Sequence, residues 1–253
     1  MYHYNPIHDS LAEEISILLA SKVGQIGLRI RVKDDFEEWA YVLRNAPATT
    51  AVSPAFDPDF CDLEDAFWLE LRDGGEWPVG TITCKLVAGD FLQLVASGEL
   101  WYGRRTGSEH AMRLLDGPGL PTLRGQIAYF GGLWLHPDYR GHGMATYMPR
   151  LIRAMARRRW RADWHCGGVL KQLADRNLPI KNYGYANIVQ VTDGQYFPVM
   201  AREDSWYVPW ESPEEWAETS RRYIADNEHI AATAPLQPLG GAQALQSTKL
   251  RAS

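Results

Sequence analysis

With 253 residues, 45% of them hydrophobic and 23% charged, the chain has the composition of a soluble globular protein. Its length suits one sizeable core with additions, or two small domains. The net charge of −5 speaks against nucleic acid as a general partner, and no apolar run approaches the roughly 20 residues of a membrane span. Asp9, Glu13 and Glu14 spoil a signal-peptide reading of the N-terminus. Cys61, Cys84 and Cys166 are scattered and odd in number, which argues against a disulfide framework or a zinc site and for a reducing cytoplasm.

In chain order, Leu11, Ile15, Leu18 and Leu19 recur at helical spacing between Ser10 and Ala20, with Ser10 as N-cap and Glu13 closing a capping box. Residues 1–24 are therefore expected to form a helical extension. Gly27 to Val32 alternates apolar and basic residues, a strand signal, and Asp34 opens a short helix through Phe36, Trp39 and Leu43. Thr49 to Pro58 is turn-rich, and Asp62 to Ala66 reads as a helical turn leading into a strand from Phe67 to Leu71. Asp73-Gly74-Gly75-Glu76 is a hairpin turn, and Pro78 to Val87 returns as the partner strand.

Residues 89–126 form an insertion. Phe91, Leu92, Leu94, Val95, Leu100 and Trp101 suggest a helix or an added strand, followed by a loop rich in Gly and Arg. Such a segment serves either as a functional lid or as surface decoration.

Ile127 to Leu135 is an apolar, aromatic run that predicts a buried strand, and His136-Pro137-Asp138-Tyr139 ends it. Gly141 and Gly143 follow, and then Met148, Leu151, Ile152 and Met155 mark one face of a helix. A strand, a glycine turn and a helix start make an anion site. Free amides point outward there, the helix dipole favours negative charge, and glycine lets a phosphate approach. A dinucleotide fingerprint would need a third glycine, and a Walker loop would need Gly-Lys-Ser/Thr. Beyond this turn, Ala162 to Val169 predicts a fifth strand and Leu170 to Leu178 a helix ended by Pro179. Tyr185–Val191 and Ser205–Trp210 predict closing strands, and Ser212-Pro213-Glu214-Glu215 caps a helix to about Asn227. Residues 231–253, of Ala, Gln, Gly, Pro and Ser character, are expected to be a disordered tail.

The order Arg-x-x-Gly-x-Ala at Arg140 to Ala145, extended back to Trp134, resembles the acyl-CoA-binding motif of the GNAT superfamily of N-acyltransferases. The resemblance implies an α/β (α+β) fold with a mixed, mostly antiparallel sheet flanked by helices, occupying residues 25–230, with its insertion before the fourth core strand. It implies that the amides of Gly141, His142, Gly143, Met144 and Ala145 surround the CoA pyrophosphate. Leu133, Trp134 and Leu135 would offer backbone groups to the pantetheine arm. Arg140 would add charge or anchor the turn, and Gly131-Gly132 would mark a bulge that opens a slot for the co-substrate. The run Arg157-Arg158-Arg159-Trp160-Arg161 reads first as a solvated helix end, with attraction of the CoA 3′-phosphate or of an RNA strand as the functional reading.

The chemistry so implied is transfer of an acyl group, most simply acetyl, from acyl-CoA to a small-molecule or peptide amine by direct attack in a ternary complex, without a metal. The alternatives are a long-chain N-acyltransferase, for which ten tryptophans and the apolar insertion would line a wide pocket, and a non-catalytic module that binds acyl-CoA or a partner. A homodimer is left open. Two departures from the family pattern matter. Gly131 stands where many members place a glutamate base, so a water chain or a carboxylate from elsewhere, such as Glu70 or Glu99, would have to serve. Asn177 to Tyr185 looks like a compressed second motif, with Gly184-Tyr185 in place of Gly-Phe and Tyr183 the nearest tyrosine. A phenol there either protonates the departing thiolate or packs the helix end. His136 reads as a strand-end turn residue, Tyr129 as a core aromatic, and Cys84 and Cys166 as buried thiols. Trp101 and Arg105 of the insertion are the expected acceptor-side residues.

Overall fold

Alternation of side chains decides which way each strand faces, and it divides the interior into two layers. The computed structural model describes residues 6–48, 52–75, 77–103, 111–116 and 119–231. Among the described residues ten strands run in chain order as β1 (Arg29–Lys33), β2 (Ala66–Arg72), β3 (Gly80–Asp90), β4 (Arg124–Leu135), β5 (Trp164–Gly167), β6 (Val169–Leu170), β7 (Asn187–Gln190), β8 (Gln195–Phe197), β9 (Arg202–Asp204) and β10 (Trp206–Glu211). The helices are α1 (Pro6–Gln25), α2 (Phe36–Asn45), α3 (Phe91–Ser97), α4 (Glu99–Tyr102), α5 (Met144–Arg159), α6 (Lys171–Asp175) and α7 (Pro213–Ala231). Eight strands form one sheet in the order β1-β2-β3-β4-β5-β10-β6, with β7 also paired to β10, while β8 and β9 make a separate hairpin. Among the described residues of the large sheet only β4 and β5 pair in parallel. The fold is thus a mixed, mostly antiparallel sheet flanked by helices.

Phe67, Leu69 and Leu71 of β2 and Ala128 and Phe130 of β4 face one layer, where they meet Leu11, Ile15 and Leu19 of α1, Met148 and Ile152 of α5 and Trp216 of α7. The intervening Trp68, Ile127 and Tyr129 face the other layer, with Trp39 of α2, Phe56, Phe91 of α3 and Leu100 of α4. This is the period of two expected of strands covered on both sides.

Several local expectations are corrected. The first helix starts at Pro6, so Ser10 lies inside it and is not its cap. Asp35, not Asp34, caps α2, its side chain accepting from the Glu38 amide at 3.0 Å. No helical turn forms at 62–66. The Asp62 carboxylate accepts from the Glu64 amide, a local turn that competes with a helix, and Ala66 already opens β2. The insertion begins with a helix because Asp90 caps α3, accepting from the Gln93 amide at 3.2 Å. The predicted helix 170–178 is only α6. Asn177 takes φ +54, which breaks it, and Pro179 starts a π-helical turn, Pro179–Tyr183, rather than ending a helix. The tail beyond Ala231 lies outside the described residues.

One buried ionic bracket ties α5 to the far side of the sheet. Arg153, 1% exposed, donates to Glu211 of β10 at 2.9 Å, to the Pro149 carbonyl at 3.2 Å and to the Tyr183 carbonyl, and lies over the Tyr185 ring. His165 is fully buried 3.5 Å from Glu211. Burial lowers its pKa below the ordinary 6.5, so folding favours the neutral ring. The unfolded chain takes up a proton near 6.5 that the folded chain refuses, and stability is lost as pH falls below that value. The loss is expected to approach about 1.4 kcal/mol per pH unit at most. Urea unfolding between pH 7 and 5 checks it: the slope of stability against pH should be shallower in His165→Gln than in the unsubstituted protein.

Candidate active site

β4 is where the sheet stops being continuous. Its pairing with β5 ends at Phe130↔Gly167, and its register with β3 slips between Thr81 and Thr83. The extra residue falls at Gly132, φ +59, whose carbonyl accepts from the Thr81 hydroxyl at 3.2 Å. A Cβ on Gly132 would come within 2.7 Å of the Trp39 indole and 2.8 Å of the Thr83 hydroxyl, so only glycine fits. From Gly131 to Leu135 the strand stays beside β3 but has no partner on the β5 side among the described residues. The indole of Trp134 is fixed by donating to the Pro47 carbonyl at 3.1 Å.

The turn after β4 is held from both ends. His136 accepts from the Asp138 amide at 3.3 Å, Tyr139 donates to Asp73 and its pKa is raised to about 12 by that bond, and Arg140 donates to the Leu135 carbonyl at 3.1 Å. Arg140 therefore anchors the turn, whatever charge it also supplies. Gly141 (φ +85) and Gly143 (φ +81) are left-handed, and Gly143 caps α5 with its carbonyl, which accepts from Thr146 at 2.8 Å. Among the described residues, the amides of Gly141 to Ala145 find no hydrogen-bond acceptor, leaving a helix start rich in free donors.

These two features share a groove of about 770 Å³, walled by Gly132 to Leu135 on one side and by Arg140, Gly141, Gly143, Met144 and Ala145 at the turn. Tyr183 and Asn182, on the π-helical turn, close it opposite, and Asn182 donates to the Thr146 hydroxyl at 3.2 Å. Burial raises the Tyr183 phenol above its ordinary 10. His142 is exposed on the turn and does not line the groove. The groove also takes in Leu173, Arg176 and Leu178, contributors that no sequence motif marked.

A second cavity of about 250 Å³ adjoins the first, sharing Ser53 and Gly132 with it. Trp101 is in its wall, and Tyr129, though packed in the core, reaches it too. Arg105 lies outside the described residues. Unforeseen in the sequence are Tyr196, Phe197, Pro198 and Met200 of the β8–β9 hairpin, and Trp206.

Neither carboxylate considered as a base lines either space. Glu70 is buried between Arg72, 2.9 Å away, and Lys33, 3.8 Å away, and Glu99 sits on a third cavity beside Cys61 and Lys85. Beside Gly132, however, the Thr83 hydroxyl and the Trp39 indole nitrogen are buried with no hydrogen-bond partner among the described residues. That pair is chemically suited to seat one ordered water. Cys84 and Cys166 are fully buried and their thiols are pushed up by desolvation, which keeps them protonated. Among the described residues no group of three or more His, Cys, Asp or Glu side chains could hold a metal ion, and no helix is long and apolar enough to cross a membrane.

A profile of the acetyltransferase (GNAT) family matches residues 32–167, over half of the chain, and the chain belongs to that family. It is in this general sense an acyl-CoA-dependent acyltransferase, with acyl-CoA as co-substrate. No curated protein matches it. Similar solved structures include NAA60 of Arabidopsis thaliana in complex with a bisubstrate analogue, at 16% identity over 73% of this chain and 97% of that one, TM-score 0.44. FeeM, an N-acyl amino acid synthase from uncultured soil microbes, is similar at 13% identity over 75% and 92%, TM-score 0.46. AAC(6')-Ib in complex with Parmomycin and AcetylCoA is similar at 12% identity over 75% and 96%, TM-score 0.42.

The turn yields a charge test. A Cβ on Gly141 meets nothing within 4 Å, whereas one on Gly143 would strike the Tyr147 ring at 2.7 Å. Gly141→Ala and Gly141→Glu share the same strain at φ +85, but only the second brings a negative charge to the free amides. Calorimetry is expected to show CoA affinity about a hundredfold weaker in Gly141→Glu than in Gly141→Ala, a difference of about 2.7 kcal/mol.

Proposed function

We propose that this protein transfers an acetyl group from acetyl-CoA to a primary amine by direct attack within a ternary complex. The observation that carries the proposal is the coincidence, in one groove, of the β4 residues without a β5 partner with the donor-rich start of α5. In this reading the amides of Gly141 to Ala145 bind the pyrophosphate and the backbone of Leu133, Trp134 and Leu135 holds the pantetheine arm. Arg140 keeps the turn in place and adds charge. Residues 25–230 act as the transferase unit, and 1–24 as an extension whose helix shares a core with α5 and α7. The acceptor approaches through the second cavity, past Trp101.

The amine nitrogen forms a bond to the thioester carbonyl carbon, the carbon–sulfur bond breaks, and the nitrogen gives up a proton as the sulfur gains one. Tyr183 supports the second transfer. Its raised pKa keeps the phenol protonated through neutral pH, so it has a proton to donate. For the first transfer no carboxylate lines either space among the described residues, and the amine proton passes through the open groove to bulk solvent.

Release of free thiol from acetyl-CoA in the presence of a panel of amines tests the activity. CoA binding without release for any amine would instead favour a non-catalytic acyl-CoA-binding module. Within an active protein, Tyr183→Phe is expected to lower kcat by roughly ten- to a thousandfold while leaving the acetyl-CoA KM nearly unchanged, because only the transition state loses an interaction. An unchanged kcat would assign Tyr183 to packing.

A further inference from the structure

The smaller cavity differs in chemistry from the groove it joins. Where the groove is rich in backbone donors, the cavity is walled by ring faces: Trp101 and Tyr102 of α4, Tyr129, Tyr196 and Phe197 of the hairpin, and Trp206. Among its described lining residues none carries a formal charge, and burial raises the phenols of Tyr102 and Tyr129, so both stay neutral. Two glycines let the rings close in. A Cβ on Gly168 would lie 2.5 Å from the Trp206 indole, and one on Gly131 would lie 2.7 Å from Phe56. Trp206 in turn meets Trp101 edge-to-face, with ring centroids 5.1 Å apart. The insertion and the hairpin thus build one aromatic box against the sheet.

Among the described residues the box has two approaches. One is Gly132, the residue shared with the groove, which puts its inner end beside the β4 residues without a β5 partner. The other is the hairpin, where Tyr196 is 53% exposed. A molecule from solvent can therefore enter by the hairpin and meet the co-substrate at the bulge. At about 250 Å³ the space equals the share of roughly eight waters, the bulk of one ring or two fused rings with a short arm.

We propose that this cavity is the acceptor pocket and that it selects small primary amines with an apolar, aromatic body. This rests on the acetyl-transfer reading above and adds the class of acceptor. A flat ring gains contact on both faces here, and its edges suit the T-shaped geometry already adopted by Trp101 and Trp206. The described lining holds no carboxylate, so beyond a single cation–π contact nothing there pairs the several charges of a polycation. The amine itself, on a short arm, points towards Gly132, where the cavity joins the groove.

The experiment uses the full chain with acetyl-CoA and compares 2-phenylethylamine, spermidine and a short lysine-containing peptide by thiol release. The expected result is a kcat/KM for 2-phenylethylamine at least about tenfold above the other two. Trp101→Ala and the surface substitution Tyr196→Ala, which removes no buried ring, are each expected to lower that kcat/KM by about fivefold or more, through KM, with CoA affinity by calorimetry unchanged. A preference for spermidine or the peptide would overturn the aromatic class while leaving acetyl transfer intact. So would an equal loss for all three amines in both variants. If kcat/KM instead rises with acyl-CoA chain length from acetyl to octanoyl, and Trp101→Ala abolishes that rise, the box holds the acyl chain and the proposal fails. Absence of thiol release with any amine and any acyl-CoA, despite CoA binding, would overturn the transfer reading and this proposal together.

Discussion

A strand that is paired along its whole length cannot offer its backbone to a ligand, and this chain solves that problem at Gly131 and Gly132. Up to Phe130, β4 is an ordinary inner strand, parallel to β5 on one side and antiparallel to β3 on the other. One added residue at Gly132 bends it, β5 turns towards β10, and the last residues of β4 keep free backbone groups along an open wall. The same bend aims the strand end into the turn that starts α5, so the wall and the donor-rich helix start belong to one groove. The need for glycine here is steric as well as conformational, since the Trp39 ring and the Thr83 hydroxyl occupy the space a side chain would take.

The opposite wall depends on a different interaction. Arg153 and Glu211 are both almost fully buried, and such a pair is specific rather than strongly stabilising, because desolvation offsets most of the attraction. Its use is positional. Through the Tyr183 carbonyl, Arg153 fixes the π-helical turn to α5, and Asn182 adds a second tie to Thr146. Gly184 takes φ +77, which favours glycine, and a Cβ there would also fall 2.2 Å from the Arg150 guanidinium, packed over the Tyr223 ring, so that side chain would have to shift. Groove and phenol are thus held by elements anchored in the α1–α5–α7 layer rather than by loops alone.

How much of this could be read from the sequence follows from how local each feature is. The strand, turn and helix from Ile127 to Met155 are contiguous and carry their signals together: an apolar run, Pro137, two glycines, then helical spacing. The resemblance that implied the fold class, and the groove-lining residues of the turn, came from that stretch. Ser10 misled because its Ser-x-x-Glu pattern imitates a cap inside a longer helix. Arg153 gave no sign of burial in a helix that ends in a basic run. The β8–β9 hairpin was missed since each strand has three residues, too short for alternation to register. The aromatic cavity was illegible for a deeper reason. Its rings come from residues 101–102, 129, 196–197 and 206, and nothing but the fold brings them together.

The central claim is that the break between β4 and β5 exists to receive the CoA thioester. A crystal structure of the protein with acetyl-CoA tests it most directly. The account predicts the pyrophosphate on the amides of Gly141 to Ala145, the pantetheine arm along Leu133 to Leu135, and the thioester beside Gly132 at the mouth of the aromatic cavity. Acetyl-CoA bound away from this groove, or a β4 that pairs with β5 past Phe130 and closes it, would contradict the account.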